Sequence, residues 1–321
     1  MDLLRHWHPV CLARELADRP HKVWLAGQPY AVFRTPTGVG ALPDACPHRG
    51  FPLSAGRMIE GQLTCPYHGW SFDHTGAGRA PGTPSMRPHT PCLEAVERFG
   101  AVWLRRPGAT GPFPQVGPGG FTPIRTTRHR VPAPLEAVVD NFTEVEHTGA
   151  VHWMLGYPEG ALDALQVEVT ATADSVRTFN RGPQRPLPRW LARLVNLAQD
   201  DDFIDDWTTR FSPVHTIFEQ YWMAGDLRRP STIRIGVVYT PVHDDVTDLY
   251  VFVHSNASRT GRFGLDGALQ LMLAAFSEVE IRLDAALLTR LGQGPLKSVG
   301  RFDKALKLQR QRIERLYRGA P

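Results

Sequence analysis

Short runs in which apolar and polar residues alternate, separated by Gly and Pro, fill the chain from about Trp24 to Trp103. A strand turns successive side chains to opposite faces, so this pattern predicts a small antiparallel β domain. The clearest runs are "KVWLAG", "YAVFRT", "GALPDA" and "FGAVWLRR". Gly and Pro then dominate residues 105–123, where neither a helix nor a central strand can propagate, and a linker is predicted.

The pattern changes beyond the linker. A helix is predicted near residues 135–152, and a longer helix over residues 265–291 repeats apolar residues at i, i+3 and i+4. Alternating strands lie between them, at "LQVEVTAT", "VHTIFEQYW", "STIRIGVVYTP" and "DLYVFVHS". A sheet with helices gathered against it is an α+β arrangement. We therefore expect two domains, residues 1–115 and 116–321.

Two charged stretches are predicted to lie on the surface. One is "QDDDFIDDW" at residues 199–207, and the other is the basic C-terminal segment "FDKALKLQRQRIERLYRG". A helix face rich in Lys and Arg is usually solvated, although it could also present cations to a protein partner.

The composition is that of an ordinary globular protein and excludes several function classes. Of 321 residues, 42% are apolar, and no uninterrupted run reaches the about 18 apolar residues of a membrane span. The net charge of +4 arises from Lys and Arg interspersed with acids, so no nucleic-acid partner is expected. The first residues lack the pattern of a secretion signal, and we expect a cytoplasmic protein without membrane association.

Four metal-binding side chains occur as two pairs. Cys46 and His48 stand in "CPHRG", and Cys65 and His68 stand in "CPYHGW". The spacing alone suits either a zinc ion or an iron–sulfur cluster. Two features favour the cluster. Pro and Gly let the backbone fold closely around inorganic sulfide, and two imidazoles that replace two thiolates on one iron raise its reduction potential.

The sequence around these pairs resembles the Rieske [2Fe–2S] motif of the Rieske-type non-haem iron oxygenases. The likeness covers about the first third of the chain and includes "DACPHRGFPLSAG", "CPYHGWSFDHTG" and "VERFGAVWLRRPG". It implies that Cys46, His48, Cys65 and His68 hold the cluster. Trp70, which follows the second pair, is expected to pack over it.

A second pair of histidines follows in "VVDNFTEVEHTGAVHWM". His147 and His152 are five positions apart, and an undistorted helix swings the fifth residue by about 140°. Both imidazoles reach one ion only if the helix widens or ends between them, which Gly149 facilitates. Two neutral imidazoles and one carboxylate leave positions open on Fe(II) for oxygen.

This segment is similar to the mononuclear-iron motif of the same family, in which an Asn, an acid and two His follow one another. The resemblance places Asn141 close to the iron ligands His147 and His152. It also implies that Glu144, at the position of the family's Asp, bridges across a subunit boundary to a Rieske histidine. A carboxylate hydrogen-bonded to the free imidazole nitrogen would orient that ring and couple the two metal sites.

The third iron ligand is expected on the long helix, where the family carries an Asp. Three acids are candidates: Glu278, Glu280 and Asp284. At about 100° per residue, Glu280 falls in the middle of the apolar stripe, Asp284 at its edge and Glu278 on the opposite face. A carboxylate among apolar side chains is costly unless it binds a metal or is paired, so Glu280 is the predicted ligand and Asp284 the next candidate. The predicted stripe consists of Leu265, Leu269, Met272, Phe276, Val279, Leu283 and Leu287.

The resemblance implies the terminal oxygenase component of a Rieske system. Electrons from NAD(P)H would pass through a separate ferredoxin or flavin reductase to the [2Fe–2S] cluster and on to Fe(II), where O2 reacts with a small organic, aromatic substrate. It also implies a helix-grip catalytic domain, in which an antiparallel sheet holds a long helix, and a homotrimer. The short chain and the form of its iron motif resemble the monooxygenase and demethylase branch. Ring cis-dihydroxylation is the alternative.

Two other classes of protein remain as alternatives. An electron-transfer protein would need only the cluster, and a zinc-binding module would need neither cluster nor iron. Cys11 and Cys92 lack ligand-like neighbours and are predicted to be buried apolar residues. Four tryptophans are candidates either for the core or for the lining of a substrate cavity: Trp153, Trp190, Trp207 and Trp222.

Overall fold

The computed structural model describes residues 2–152, 156–194, 197–256, 265–291 and 300–319. The chain divides into two units. The first comprises residues 1–114 and 240–246, and the second comprises residues 115–239 and 247–321. Residues 106–121 contain neither helix nor strand, as their Gly and Pro content predicts.

The first unit consists of short strands in three sheets. The sheets have the orders β1-β10-β9, β2-β3-β4 and β5-β6-β7-β8, and every pairing is antiparallel. The four strands expected from alternating runs are present as β2, β3, β4 and β10. The strands are β1 (His8–Leu12), β2 (His21–Leu25), β3 (Gln28–Thr35), β4 (Gly38–Pro43), β5 (Arg57–Ile59), β6 (Gln62–Thr64), β7 (Ser71–Phe72), β8 (Gly78–Arg79), β9 (Glu94–Arg98) and β10 (Ala101–Arg105).

Strand β3 separates the apolar interior of this unit into two clusters. Val32 points into one, which also contains the fully buried Cys11. Ala31 and Phe33 point into the other, because successive side chains of a strand face opposite ways. Cys46 and Cys65 belong to this second cluster, and partly buried Cys92 packs against it. The two predicted cluster thiols therefore lie where a folded core holds them in place.

The second unit is one seven-stranded sheet with helices. The strand order is β11-β17-β16-β15-β14-β13-β12. The longest helix, α4, packs against β11 and α1. The elements are β11 (Thr122–Val131), α1 (Leu135–Phe142), α2 (Thr148–Val151), β12 (Gln166–Ala171), β13 (Ser175–Pro183), α3 (Arg189–Leu194), β14 (Asp202–Phe211), β15 (Val214–Ala224), β16 (Leu227–His243), β17 (Val246–Ser255), α4 (Leu265–Leu288) and α5 (Lys304–Arg312).

The acidic stretch at residues 199–207 was predicted to be charged surface. Most of it belongs instead to strand β14. Phe203 and Trp207 alternate with acids and are buried, while Asp202 and Asp206 on the other face pair with Arg181 and Arg177 of β13. Cross-strand ion pairs of this kind satisfy the outer acids. Asp205 is the exception, since it shares the inner face with the aromatic residues and is buried.

The basic C-terminal segment is only in part the solvated face that was expected. Ile313 and Tyr317 are fully buried, and the fully buried Gln309 accepts a hydrogen bond from the Thr143 hydroxyl at 2.7 Å. Two of its cations are paired with α1: Arg310 binds Asp140 through Nε at 2.8 Å, and Arg318 binds Glu136. Lys304, Lys307 and Arg315 are exposed, so that face is solvated as predicted. Apolar residues spaced along a basic helix thus anchor it to the second unit.

The α+β fold class is confirmed. Antiparallel sheets dominate, and a small β domain is followed by a sheet that carries a long helix. Within the part of the chain that the structure describes, no helix is both long and apolar enough to cross a bilayer.

Candidate metal centres

Two loops of the first unit repeat the same backbone arrangement. In the first, the N–H of Cys46 donates to the carbonyl of Phe51 at 2.8 Å, and the N–H of Gly50 donates back to Cys46 at 2.8 Å. The second loop does the same with Cys65: the corresponding distances are 2.7 Å to Trp70 and 3.1 Å from Gly69. Both glycines have a φ near +70°, which residues with a Cβ rarely adopt. The Gly of each motif is therefore required by the turn that presents its Cys and His.

The four predicted cluster ligands lie together in this unit. Cys46 and Cys65 are 2% exposed, and the rings of His48 and His68 are 4.6 Å apart. Trp70 stacks on His48 at 4.5 Å with an interplanar angle of 4°, which agrees with its expected place over the cluster. Cysteines point to the core and His68 is exposed, so one side of the site is thiol and the other is imidazole.

This donor set fits a two-iron cluster. The side-chain Nδ1 of His48 is buried and has no hydrogen-bond partner among the described residues, which suits a nitrogen that ligates a metal. Burial raises the pKa of the Cys46 thiol, so a thiolate there requires a cation beside it. Two thiolates on one side and two imidazoles on the other match a [2Fe–2S] cluster in which one iron takes the Cys ligands and the other takes the His ligands.

The second histidine pair flanks a very short helix. The predicted helix at residues 135–152 is interrupted: α1 ends at Phe142, and α2 covers only Thr148–Val151. His147 precedes α2, and His152 follows it with extended backbone, φ −82° and ψ 146°. The helix therefore ends between the two histidines, as their spacing required, and their rings lie 5.0 Å apart.

Asp284 on α4 completes a group with these two histidines. Its Oδ1 lies 3.0 Å from Nε2 of His152 and 3.2 Å from Nε2 of His147. Ligand atoms of the three residues all lie within 4.8 Å of one another, and Asp284 is 4% exposed. Nε2 of His147 is buried and faces this carboxylate. Two imidazoles and one carboxylate facing a common point are the donor set of a mononuclear non-haem iron site.

Glu280, the predicted ligand, occupies a different place from Asp284. Its Oε2 is 3.5 Å from Nδ1 of His152, on the side of the ring that faces away from Asp284. The described buried residues of α4 include Ala274, Ile281 and Leu288, with Asp284 on the same face, whereas Val279 of the predicted stripe is 39% exposed. The predicted apolar stripe is therefore rotated about the helix axis from the face of α4 that is buried, because those of its residues whose burial the structure describes are only partly buried or exposed. The packing of α4 against β11 and α1, which the sequence does not display, selects the inner face.

Glu144 orients His147 from the opposite side. Its carboxylate accepts a short hydrogen bond from Nδ1 of that ring and a bond of 2.6 Å from the backbone N–H of Glu146. The Nε2 nitrogen of His147 is thereby directed towards Asp284. A bridge from Glu144 to a Rieske histidine of another subunit stays a prediction.

Asn141 is buried, and its Nδ2 has no partner among the described residues; its role near the ligands also stays a prediction.

The carboxylates determine the protonation of His147 when no metal is present. Burial disfavours the imidazolium, but hydrogen bonds to Asp284 and Glu144 outweigh burial and raise the pKa of His147 to about 10. Burial acts to raise the pKa of Asp284, but hydrogen bonds from His147 and His152 outweigh it and hold that pKa below its usual value. A metal ion binding here must therefore displace a proton.

Arg185 supports the loop that carries His152, and sequence reasoning missed it. Its guanidinium donates to the carbonyl of His152 and to those of Gly149 and Tyr157, both at 2.8 Å, with a longer bond of 3.2 Å to Thr148. The last carbonyls of a helix have no partner within the helix, and an Arg fork can bind several at once. An isolated Arg in a strand-to-loop segment carries no signal of this role.

A cavity of about 110 Å³ opens beside this group. His147, His152 and Asp284 line it, together with the aromatic side chains of Phe142, Phe203, Trp207 and Phe218. Asp205 and Gln220 are among its other polar lining residues, and burial raises the pKa of Asp205 to about 7. The cavity is therefore a mostly apolar chamber with the predicted iron ligands on its wall.

The four candidate tryptophans do not share one location. Trp207 lines the cavity. Trp222 is buried and donates to Oε1 of Gln184 at 2.7 Å, so it belongs to the core. Trp190 is 63% exposed, and Trp153 lies outside the described residues.

Comparison with known proteins agrees with both halves of this description. Residues 6–99 match the family described as Rieske [2Fe-2S] domain. The chain superposes on the crystal structure of dicamba monooxygenase bound to 3,6-dichlorosalicylic acid with a TM-score of 0.80 and 23% identity, covering 98% of each chain. The first of these findings shows the cluster domain, and the second shows that the whole chain has the fold of that oxygenase.

Two of the curated proteins that are similar to this chain in sequence are O-demethylase components. The oxygenase component of dicamba O-demethylase from Stenotrophomonas maltophilia is 30% identical over 191 residues, 55% of this chain and 55% of that protein. The vanillate O-demethylase oxygenase subunit of Pseudomonas sp. (strain HR199 / DSM 7063) is 30% identical over 239 residues, 66% of this chain and 64% of that protein. The chain thus spans between about half and two thirds of their lengths. The predicted resemblance to Rieske-type oxygenases is confirmed.

Proposed function

We propose, from the Rieske domain and the shared oxygenase fold, that this protein is the terminal oxygenase component of a Rieske non-haem iron system. In this proposal it catalyses the NAD(P)H- and O2-dependent monooxygenation or oxidative demethylation of a small aromatic substrate. The two relatives described above, the dicamba and vanillate enzymes, are named O-demethylases, which supports demethylation over ring dihydroxylation. The aromatic lining of the cavity supports an aromatic substrate.

The observation that carries the proposal is the convergence of His147, His152 and Asp284 on the wall of this cavity. We assign the mononuclear Fe(II) to these three residues, with Asp284 rather than Glu280 as the carboxylate ligand. Fe(II) bound there would supply the oxygen-activating chemistry. The chain's own residues prepare the site: Glu144 holds the Nδ1 proton of His147, and the apolar wall excludes bulk water.

The cluster domain supplies a reason for separate electron carriers. Cys46, His48, Cys65 and His68 would hold the [2Fe–2S] cluster, and the exposed face of His68 offers a route for electrons from outside. Phe51 and Tyr67 beside it are exposed aromatic residues, 37% and 53% accessible, suited to contact a redox partner. We propose a ferredoxin or flavin reductase as that partner. We also propose a homotrimer in which Glu144 links the iron site to a neighbour's Rieske histidine.

The test combines metal analysis with oxygen uptake. Purified protein should contain iron and acid-labile sulfide, and with a reductase and NADH it should consume O2 when methoxylated aromatic compounds are supplied. His147→Ala should keep the visible spectrum of the cluster and lose turnover. A protein that retains its full redox function in His147→Ala would be an electron carrier. Zinc without acid-labile sulfide would remove the oxygenase hypothesis.

A further inference from the structure

A carboxyl group lies in the aromatic wall of the cavity and takes no part in the metal group. Asp205 is on the inner face of β14, between Phe203 and Trp207, and all three side chains line the cavity. It is 8% exposed. A buried carboxyl amid apolar side chains is costly unless a partner uses its oxygens. The arrangement therefore calls for a partner within the chain or within the cavity.

A neighbouring strand supplies one hydrogen-bond donor to the side chain of Asp205. Gln220 stands directly opposite Asp205 on β15, and its Nε2 donates to Oδ1 of Asp205 at 3.3 Å. The Oε1 of Gln220 is buried and accepts no hydrogen bond from any described residue, although it belongs to a residue that lines the cavity. The pair thus presents acceptor oxygens with unused capacity to whatever occupies the cavity.

The charge of the cavity limits what that occupant can be. Among the described residues that line it there is no Lys or Arg. Three of its four acids pair with His147 or His152, and these are Glu144, Glu280 and Asp284. Asp205 is the acid outside these pairs. A substrate carboxylate placed against Asp205 would face a second acid and find no donor fork. A neutral or cationic group with an N–H or O–H bond would instead satisfy both acceptors.

We propose that Asp205 and Gln220 are the specificity-determining pair of this site, and that they select an aromatic substrate bearing an N–H or O–H donor over an aromatic carboxylate. This inference rests on the proposed function, since it identifies the substrate class of the same cavity. The pair acts by positioning: it binds the end of the substrate that carries the donor, and the ring then lies along Phe203, Trp207 and Phe218.

The experiment compares three compounds that share a methoxyphenyl ring. These are 4-methoxybenzamide, which carries N–H donors, 4-methoxybenzoate, which carries a carboxylate, and 4-methoxytoluene, which carries neither. Their binding to the protein with both metal centres loaded is measured by calorimetry without reductant, so that no turnover is needed. Because a hydrogen bond to a charged acceptor is stronger than one between neutral groups, the amide should bind at least about tenfold more tightly than either other compound.

Variants identify the pair as the cause. Asp205→Asn, which keeps the shape and replaces an acceptor by a donor, should reduce the preference for the amide over the benzoate by about tenfold or more. Gln220→Leu should reduce the preference for the amide over the toluene. The matched control is Asp206→Asn, the next residue of β14, which points to the other face and pairs with Arg177; its preferences should equal those of the unmodified protein. The cluster spectrum and iron content show that each variant is folded.

Several outcomes would overturn the inference. These are tighter binding of the benzoate than of the amide, an unchanged preference in a folded Asp205→Asn, or no binding of the amide when both metal centres are present. The proposed function is tested separately, by release of formaldehyde or formation of a hydroxylated product in the presence of reductase. Binding preference without formaldehyde or a hydroxylated product from any compound would contradict the function and support the pair. Equal turnover of amide and benzoate that does not depend on Asp205 would contradict the pair and support the function.

Discussion

Nε2 of His152 lies 3.0 Å from Oδ1 of Asp284, a residue 132 positions further along the chain. The contact joins the loop after α2 to the buried face of α4. It brings together an imidazole and a carboxylate that no local pattern connects, and His147 adds its own Nε2 at 3.2 Å from the same oxygen. The mononuclear metal site that we propose is thus a product of packing between elements.

Asp284→Ala is expected to abolish most mononuclear iron binding, because it removes the only carboxylate within the three-residue group. Glu280→Gln should retain the iron with an affinity lowered by about tenfold at most, because Glu280 lies at Nδ1 of His152, the nitrogen that faces away from Asp284. The measurement is iron per cluster in proteins purified and loaded identically. Iron retained in Asp284→Ala and lost in Glu280→Gln would restore Glu280 as the ligand.

Metal loading of the second site should depend on pH. His147 in the metal-free chain has its pKa raised to about 10, so it is protonated at neutral pH and must release that proton when a metal binds. Affinity for Fe(II) under anaerobic conditions should therefore rise by about tenfold per pH unit between pH 6 and pH 8, one proton being released. Competition titrations with a chelator at several pH values measure this slope.

Glu144→Gln is the matched variant for that titration. The neutral amide no longer raises the pKa of His147, so the variant should show a shallower rise of affinity with pH while both metal centres remain loadable. A slope identical to that of the unmodified protein would show that Glu144 does not control the proton on His147.

Arg185→Lys is expected to weaken the second site without touching the cluster. Lys presents one ammonium where Arg binds four carbonyls around α2, so the backbone at His152 loses part of its support. We expect affinity for mononuclear iron to fall by about tenfold, as for other residues that orient a ligand. Arg177→Lys, on the outer face of the sheet, is the control and should leave the iron content unchanged. Equal iron content in both variants would argue against the support role.

Arg310→Met is expected to destabilise the second unit. It leaves the carboxylate of Asp140, 8% exposed, without its cation, and removal of one partner of a buried pair costs about 3 kcal/mol. Arg282→Met is the control, since that side chain is 73% exposed and surface pairs contribute about 0–1 kcal/mol. Denaturant unfolding followed by far-ultraviolet circular dichroism measures both. Equal midpoints for the two variants would show that the Asp140 pair contributes no more than a surface pair.

The sequence by itself determined the parts of this protein whose residues are close along the chain. The two Cys-His loops could be identified because each turn needs its own Gly, and the break between His147 and His152 follows from helical geometry at a spacing of five. The α+β class followed from alternating runs and one long amphipathic segment, because strand and helix periods are local properties.

Only the tertiary structure decided the rest. The face of α4 that is buried depends on which neighbours pack against it. That packing places Asp284 at Nε2 of both histidines and leaves Glu280 at Nδ1 of His152. The acids of β14 concealed its strand character in the sequence. Asp202 and Asp206 on the outer face pair with arginines of β13, and no spacing rule predicts these pairs. Asp205 and Arg185 acquire their surroundings from strands and loops distant in sequence, so their chemistry exists only once the sheet and α2 are assembled.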